Sequence, residues 1–222
     1  MQIPSYHGLT FARNRRHQET IDMVLPVQEK LQGRNVFEAI LARRSTRAYT
    51  PEIVGRNTVQ TLLEAAVRAP TAMHEEPWAF LIIQNKQVLK QLSDRAKPLF
   101  IEEMRQRNTC TIHHSFKHFA EPDFDIFHGA STLIIICAKP LGPFAVADCW
   151  LAAENMMLAA CEFGLGSCVV GSSASVLNIW KVKAELGIPE DYTAIAPIVV
   201  GVPIEETAAS SRKEPLILAW QH

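Results

Sequence analysis

Across residues 145–163 the chain spells one long helix whose small and apolar residues (Ala152, Ala153, Met156, Met157, Ala159, Ala160) occupy most of its circumference. A surface helix carries its apolar residues in a single stripe; one that is apolar nearly all round is covered on every side, inside a core or inside a dimer. Asp148 stands early in the run and Gly164 follows it as the C-terminal glycine, so the helix has both ends marked. Its neighbours alternate in type. Trp78-Ala79-Phe80-Leu81-Ile82-Ile83 reads as a buried strand and Leu133-Ile134-Ile135-Ile136-Cys137 as a central one. Residues 168–170 suit a short strand and residues 194–202 the last. Helical spacing appears in Val36, Phe37, Ile40 and Leu41, again over 59–67 where Pro70 ends it, over 88–96, and over 176–186. Residues 97–122 are polar and His-rich and take no assignment. Without repeats or low-complexity tracts, this alternation gives a layered α+β or α/β domain.

Composition narrows the function classes. With 222 residues, 48% hydrophobic and 20% charged, the chain buries one sizeable core. A net charge of −1 argues against nucleic acid, which calls for a concentrated basic face. No apolar run approaches the roughly 18 residues of a membrane span, and Met1-Gln2-Ile3-Pro4-Ser5 lacks the charged-then-apolar order of a secretory signal. A cytoplasmic protein with no membrane or nucleic-acid partner is expected. Cys110, Cys137, Cys149, Cys161 and Cys168 form no CxxC and sit among apolar residues, so they read as reduced, buried thiols. Residues 1–35, polar and irregular with Arg13, Arg15, Arg16 and His17, form an N-terminal arm ahead of a domain over 36–222.

Chemistry concentrates in Arg43-Arg44-Ser45-Thr46-Arg47, between an apolar helix and the extended Tyr49-Thr50-Pro51. A guanidinium fork matches phosphate oxygens, and a hydroxyl donates to a third, so the cluster suits a terminal phosphate; a solvated basic helix end is the bland alternative. Between Pro70 and Pro77 lies a polar loop, Thr71 to Glu76, with both ends constrained. Gly164-Leu165-Gly166 is no dinucleotide fingerprint, because a helix rather than a strand precedes it; it reads as cap and turn. His113, His114 and His118 are the best metal candidates, yet no completing ligand lies near them before Glu121 and Asp123, and no metal is expected. There is no G-x-S-x-G, and the adjacent Glu75 and Glu76 do not imply paired acid–base work.

Taken together, Arg43 to Arg47, Ala69-Pro70-Thr71 through Pro77-Trp78, Gly164 to Cys168, and Leu186-Gly187-Ile188-Pro189-Glu190 leading into Ala196 to Pro203 resemble the nitroreductase family of FMN-dependent oxidoreductases. The pieces occur in the family's order and span residues 36 to about 215. The resemblance implies an α+β fold with a central mixed sheet flanked by helices, in an intertwined homodimer. It also implies FMN in a groove between subunits and exchanged terminal segments, the C-terminal arm covering about 204–222. By resemblance, Arg43, Ser45 and Arg47 hold the phosphate and ribityl chain with Arg44 close by. Pro70, Thr71, Ala72, Met73 and His74 approach the flavin from the other subunit. Val170 and Gly171 lie along the ring, where a backbone N–H can bond its N5, and Arg212 with Lys213 returns to the phosphate.

Two departures stand out. The family usually reads N-x-Q-P-W where this chain has His74-Glu75-Glu76-Pro77-Trp78. An amide donates and accepts, whereas an ionised Glu76 only accepts, and His74 is bulkier and titrates near neutrality. Residues 1–35 exceed the family core. The implied activity is hydride transfer from NADH or NADPH to a small electrophilic acceptor, such as a nitroaromatic or quinone, by a ping-pong scheme in which no side chain need act as acid or base. Residues 99–128 are expected to cover the cleft and choose the acceptor. The alternatives are another reaction on the same fold (dehalogenation or flavin fragmentation), a flavin-binding protein without turnover, and, well below these, a nucleic-acid binder using the arginines.

Overall fold

The computed structural model describes residues 33–106, 117–140, 142–208 and 210–221. Its helices are α1 (Val36–Ala42), α2 (Arg56–Ala66), α3 (Lys86–Gln106), α4 (Ala145–Glu162), α5 (Ala174–Leu177) and α6 (Trp180–Leu186). Its strands are β1 (Trp78–Ile83), β2 (Thr132–Ala138), β3 (Gly166–Val169) and β4 (Thr193–Gly201). Every residue of β2 is buried, as a strand covered on both faces must be. The sheet order is β1-β2-β4-β3 with all pairings antiparallel. Parallel character enters through one isolated bridge, Ser45 to Ser167, so the expected α+β sheet is present with its mixed part reduced to that contact.

Side chains alternate across β2, and each set meets its own helix layer. Leu133, Ile135 and Cys137 pack with Leu89, Leu92 and Ala96 of α3 and with Val176, Leu177 and Val182 of α5 and α6. Ile134, Ile136 and Ala138 pack with Leu62 and Ala66 of α2 and with Ala152, Ala153 and Met156 of α4. Each fully buried isoleucine contributes about 1.5–3 kcal/mol, and the alanines of α4 let its backbone approach the sheet. The far side of α4 is bare within one chain: Val146, Trp150 and Leu151 are exposed.

Local chemistry sets the ends. Asn35 accepts from the Glu38 N–H while Glu38 accepts from the Asn35 N–H, a capping box that starts α1. At the end of α4 the Leu165 N–H reaches the Ala160 carbonyl and Gly164 takes φ 71°, the left-handed turn expected of a C-terminal glycine. Two expectations change. The helix expected over 88–96 runs on to Gln106 through Pro98, because the buried stripe Leu89, Leu92, Ser93, Ala96, Lys97 outweighs the backbone bond that proline removes. The helix expected over 176–186 is two, divided at Asn178. That side chain accepts from the Ala194 N–H and donates to the Ala174 and Ala194 carbonyls, so it ties the break to the start of β4.

Candidate active site

Beyond Arg43, whose N–H still bonds the Ala39 carbonyl, the chain leaves α1 extended and lies along the sheet edge. Thr46 N–H donates to the Ser167 carbonyl at 3.0 Å and Thr50 N–H to Val202 at 2.8 Å, while the buried Tyr49 hydroxyl donates to the Thr46 carbonyl at 2.8 Å. The approach is close. A Cβ on Gly166 would lie 2.7 Å from Thr46 atoms, so only glycine fits beneath this segment.

Extended backbone sends alternate side chains to opposite faces. Arg47 borders a cavity of about 440 Å³ together with Cys168, Val170, Gly171, Phe124 and His128. The Cys168 thiol donates to the Val169 carbonyl, and the Arg47 charge, the Ser45 hydroxyl and the Arg43 charge each favour its ionised form. Burial nonetheless dominates and holds that thiol above its usual range, so Cys168 is a wall of the site and not an activated nucleophile. His128 is half-buried and adopts a left-handed φ of 57°. Burial first and the Arg47 charge second push its imidazole below the usual range, opposed by Asp125. A neutral ring therefore faces the cavity at pH 7.

Arg44 and Thr46 go the other way, to a second cavity of about 420 Å³ that Arg34, Arg43, Glu205 and Glu206 also border. Arg44 Nε is buried there with no hydrogen-bond partner among the described residues, and its Nη1 donates to the Leu41 and Arg43 carbonyls. Arg43 pairs through Nε with Glu154 of α4 at 3.4 Å.

The loop after α2 forms a short 3-10 turn, Ala72–His74, and takes left-handed φ at Met73 (54°), His74 (57°) and Glu76 (44°). Backbone of this kind in non-glycine residues stores strain of about 1–3 kcal/mol each and concentrates at functional sites. Ala72 N–H is held by both carboxylate oxygens of Asp148, each at 3.3 Å, and Asp148 is itself buried. None of Pro70 to His74 borders the first cavity of its own chain. Arg212 and Lys213 do not border it either; they lie in the exposed stretch 210–221, where Arg212 donates to the Ser210 hydroxyl.

One expected set, Arg47 with Val170 and Gly171, is thus brought together directly, whereas Ser45 does not border that cavity and Arg43 borders the second one and pairs with Glu154. Sequence reasoning expected residues 99–128 over the cleft but did not name the side chains that build the opposite wall there: Phe100 from α3 and Phe119, Phe124 and His128 from 117–128. The signal for those side chains was three phenylalanines, Phe119, Phe124 and Phe127, in a stretch without periodicity. It also missed Asp148 as the anchor of the 72–74 turn. His118 pairs with Glu121 at 2.9 Å, while His113, His114 and Cys110 lie outside the described residues. Among those residues, no three potential metal ligands cluster. The thiols that are described, Cys137, Cys149, Cys161 and Cys168, are free.

The antiparallel sheet between helical layers, with a cationic extended segment at its β3 edge and a cavity against Val170–Gly171, defines a layered α+β domain with a cleft at one sheet edge. The comparisons with known proteins name it. The nitroreductase family model matches residues 40–202, and the chain belongs to that family. A nitroreductase from Bacteroides fragilis, solved with bound FMN, is 28% identical with a TM-score of 0.71, covering 85% of this chain and 100% of that one. A protein of Archaeoglobus fulgidus, whose name pairs NADH dehydrogenase with NAD(P)H nitroreductase, is 28% identical over 175 residues, 77% of this chain and 86% of its own. An iodotyrosine deiodinase of Thermotoga neapolitana is 24% identical over 135 residues, 60% of this chain and 71% of its own. Among the described residues, no helix is long and apolar enough to cross a membrane.

Proposed function

We propose that this protein is an FMN-dependent oxidoreductase that takes hydride from NADH or NADPH and passes it to a small electrophilic acceptor, a nitroaromatic or a quinone, in alternating half-reactions. The observation that carries the reading is the first cavity, where the family's cationic segment, through Arg47, meets Val170 and Gly171 in about 440 Å³ of space. The residues fit the cofactor. Arg47 is in no ion pair among the described residues, the Arg43 charge reaches Cys168 on the same wall, and a Cβ on Gly171 would meet nothing within 4 Å, so the backbone there is open to a flat ring. Relatives named for FMN and NAD(P)H support the same assignment.

FMN, when bound, supplies the redox chemistry, and the protein supplies binding, orientation and a dry cleft. Arg43 and Arg47 neutralise the phosphate end, Ser45 adds a hydroxyl, and Arg212 and Lys213 come from the C-terminal arm. Val170 and Gly171 offer a surface with no side chain beyond valine's. Phe100, Phe119 and Phe124 exclude water on the facing wall. No side chain is assigned as acid or base.

The site is completed by a second copy. Pro70, Thr71, Ala72, Met73 and His74 lie away from their own cavity, and Met73 is 86% exposed. Phe37 and Leu41 of α1, Trp150 and Leu151 of α4, and Leu216, Leu218 and Trp220 of the terminal stretch are exposed, and uncovered large apolar side chains that group together mark an interaction surface. A homodimer with exchanged arms covers it and delivers the loop. The same proposal keeps residues 1–35 as an arm and places the protein in the cytoplasm, in keeping with its free thiols.

The test is the visible spectrum of the purified protein before and after anaerobic NADPH or NADH, with its mass in solution. A flavin band that bleaches, in a particle of twice the chain mass, is expected. A colourless protein that stays so after FMN is added overturns the reading. The deiodinase relative favours one second reading, reductive dehalogenation in the same cavity. Halide release from a halophenol by the reduced protein would support it.

A further inference from the structure

The wall opposite Val170 and Gly171 is built from a segment with little regular structure, yet it is fastened at several points by one face of α3. Lys97, only 7% exposed, donates from Nζ to the carbonyls of Pro122 and Phe124 at 3.0 Å each and of Glu121 at 3.4 Å. Asp94 Oδ1 lies 3.3 Å from the same ammonium. One turn earlier, the buried Ser93 hydroxyl accepts from the Ile126 N–H at 3.1 Å. One turn later, the Phe100 ring packs on Phe119 at 4.6 Å between centroids. Phe119 continues to Phe124 at 5.1 Å, and Phe124 meets the His128 ring edge-on at 6.1 Å. Asp125 tightens the turn by accepting from the Phe127 and Gly129 N–H groups.

A buried lysine is costly unless its donors are satisfied, and here its partners are main-chain carbonyls of the very turn that presents Phe124. A leucine would fill the space without fastening anything. Carbonyls that point inward from an irregular turn have no ladder partners, so the ammonium satisfies them and fixes the turn together. We propose that Lys97 and Ser93 are positioning residues, a clamp that holds the Phe119–Phe124–His128 wall in place and thereby sets which acceptors the cavity takes, favouring planar aromatic molecules that need a fixed wall over compact non-aromatic ones. This rests on the reading of the cavity given above as an acceptor site.

The test uses Lys97→Met, which keeps the length and removes the donors. In protein stripped of flavin, amide hydrogen exchange over residues 121–129 should accelerate about tenfold, the scale of a lost charged hydrogen bond, while β2 exchange stays as in the wild type. In the flavin-loaded dimer, the ratio of kcat/KM for a planar quinone to kcat/KM for ferricyanide should fall about tenfold, through KM of the quinone. If Lys97→Met does not fold, Ser93→Ala removes only the Ile126 pin and should move both readouts about threefold the same way. An unchanged exchange rate in the folded variant overturns the clamp. Faster exchange with an unchanged acceptor ratio overturns its role in selectivity. A wild-type protein that never binds flavin overturns the functional reading instead, and the exchange arm still reports on the clamp.

Discussion

Gly166 and Gly171 stand five residues apart on either end of β3, and adding one methyl to each should have opposite consequences. At Gly166 a Cβ would sit 2.7 Å from the Cβ, Cγ2 and Oγ1 of Thr46. Carbon contacts settle near 3.5–4.0 Å, so Gly166→Ala has to open about 1 Å between β3 and the cationic segment. The Thr46 to Ser167 hydrogen bond lies across that gap. Overpacking of this kind costs about 1–3 kcal/mol, and at roughly 2–4 °C per kcal/mol for a domain of this size Tm should fall by about 2–12 °C. Because Arg43, Ser45 and Arg47 ride on the displaced segment, FMN affinity should fall as well. At Gly171 the added methyl meets nothing within 4 Å and no positive φ is required. Gly171→Ala should therefore stay within about 0.5 kcal/mol of wild type, yet its methyl enters the space assigned to the ring and should weaken FMN at least about tenfold, some 1.4 kcal/mol. Thermal melts of both variants without flavin, followed by fluorescence titration with FMN, separate the two effects. A Gly166→Ala protein with native Tm would refute the close-approach argument, and a Gly171→Ala protein with native FMN affinity would remove the ring from that wall.

Arg43→Ala combined with Arg47→Ala deletes two charge-assisted contacts of about 1.5–3 kcal/mol each, so FMN binding should weaken by about 10²–10⁴-fold in protein with an unchanged circular dichroism spectrum; normal occupancy after gel filtration would sink the phosphate assignment. Asp148→Asn keeps the size but removes the charge that both holds Ala72 N–H and faces the first turn of α4, and it should cost about 1–2 kcal/mol in urea unfolding, with no change counting against the anchor. His128 has its folded pKa below the unfolded value of about 6.5. The unfolded chain thus binds the proton more readily, and the contribution of His128 is complete above about pH 6.5 and lost as pH drops through the depressed folded value. His128→Asn, which tolerates left-handed φ, should flatten the decline of Tm between pH 7 and 5; an identical slope in both proteins contradicts the assignment. Burial pushes the thiols of Cys137 and Cys149 up to about 11 and about 12, so iodoacetamide at pH 8 should leave both unlabelled in the native protein, by peptide mass spectrometry.

The strands were legible because β2 is a short, branched, unbroken apolar run, and strand length separates such a run from a helix. The full extent of α3 was not, since Pro98 reads locally as a terminator and only packing against Leu133 and Ile135 carries the helix past it. Asn178 was unreadable for the same reason, as its partners lie at Ala194. At the site, the arginines announced themselves by type, but the split between Arg47 on one cavity and Arg44 on the other follows from extended backbone over Gly166. The aromatic wall depends on Lys97 reaching carbonyls more than twenty positions away, which no local pattern encodes. His74 shows a different relation. Its position takes φ 57°, a conformation for which Asn and His are both enriched, so this backbone suits an imidazole as well as the amide usual in the family.

The helix that is apolar nearly all round is what the proposed dimer uses to join these separate pieces into one site. Besides its small residues, α4 carries three acids that each hold a segment of chain from elsewhere: Asp148 the Ala72 turn, Glu154 the Arg43 guanidinium, and Glu162 the N–H groups of Gly33 and Arg34. One face of the helix packs on the sheet, and the other bears the exposed Val146, Trp150 and Leu151, the face assigned to the second copy in the proposed dimer. In the proposed dimer, packing two such helices together would place, in one operation, each chain's cationic segment and the other's 70–74 loop relative to a shared axis. On that proposal, cofactor binding and dimer formation would be consequences of the same buried surface, and the candidate residues would look scattered only in a single chain.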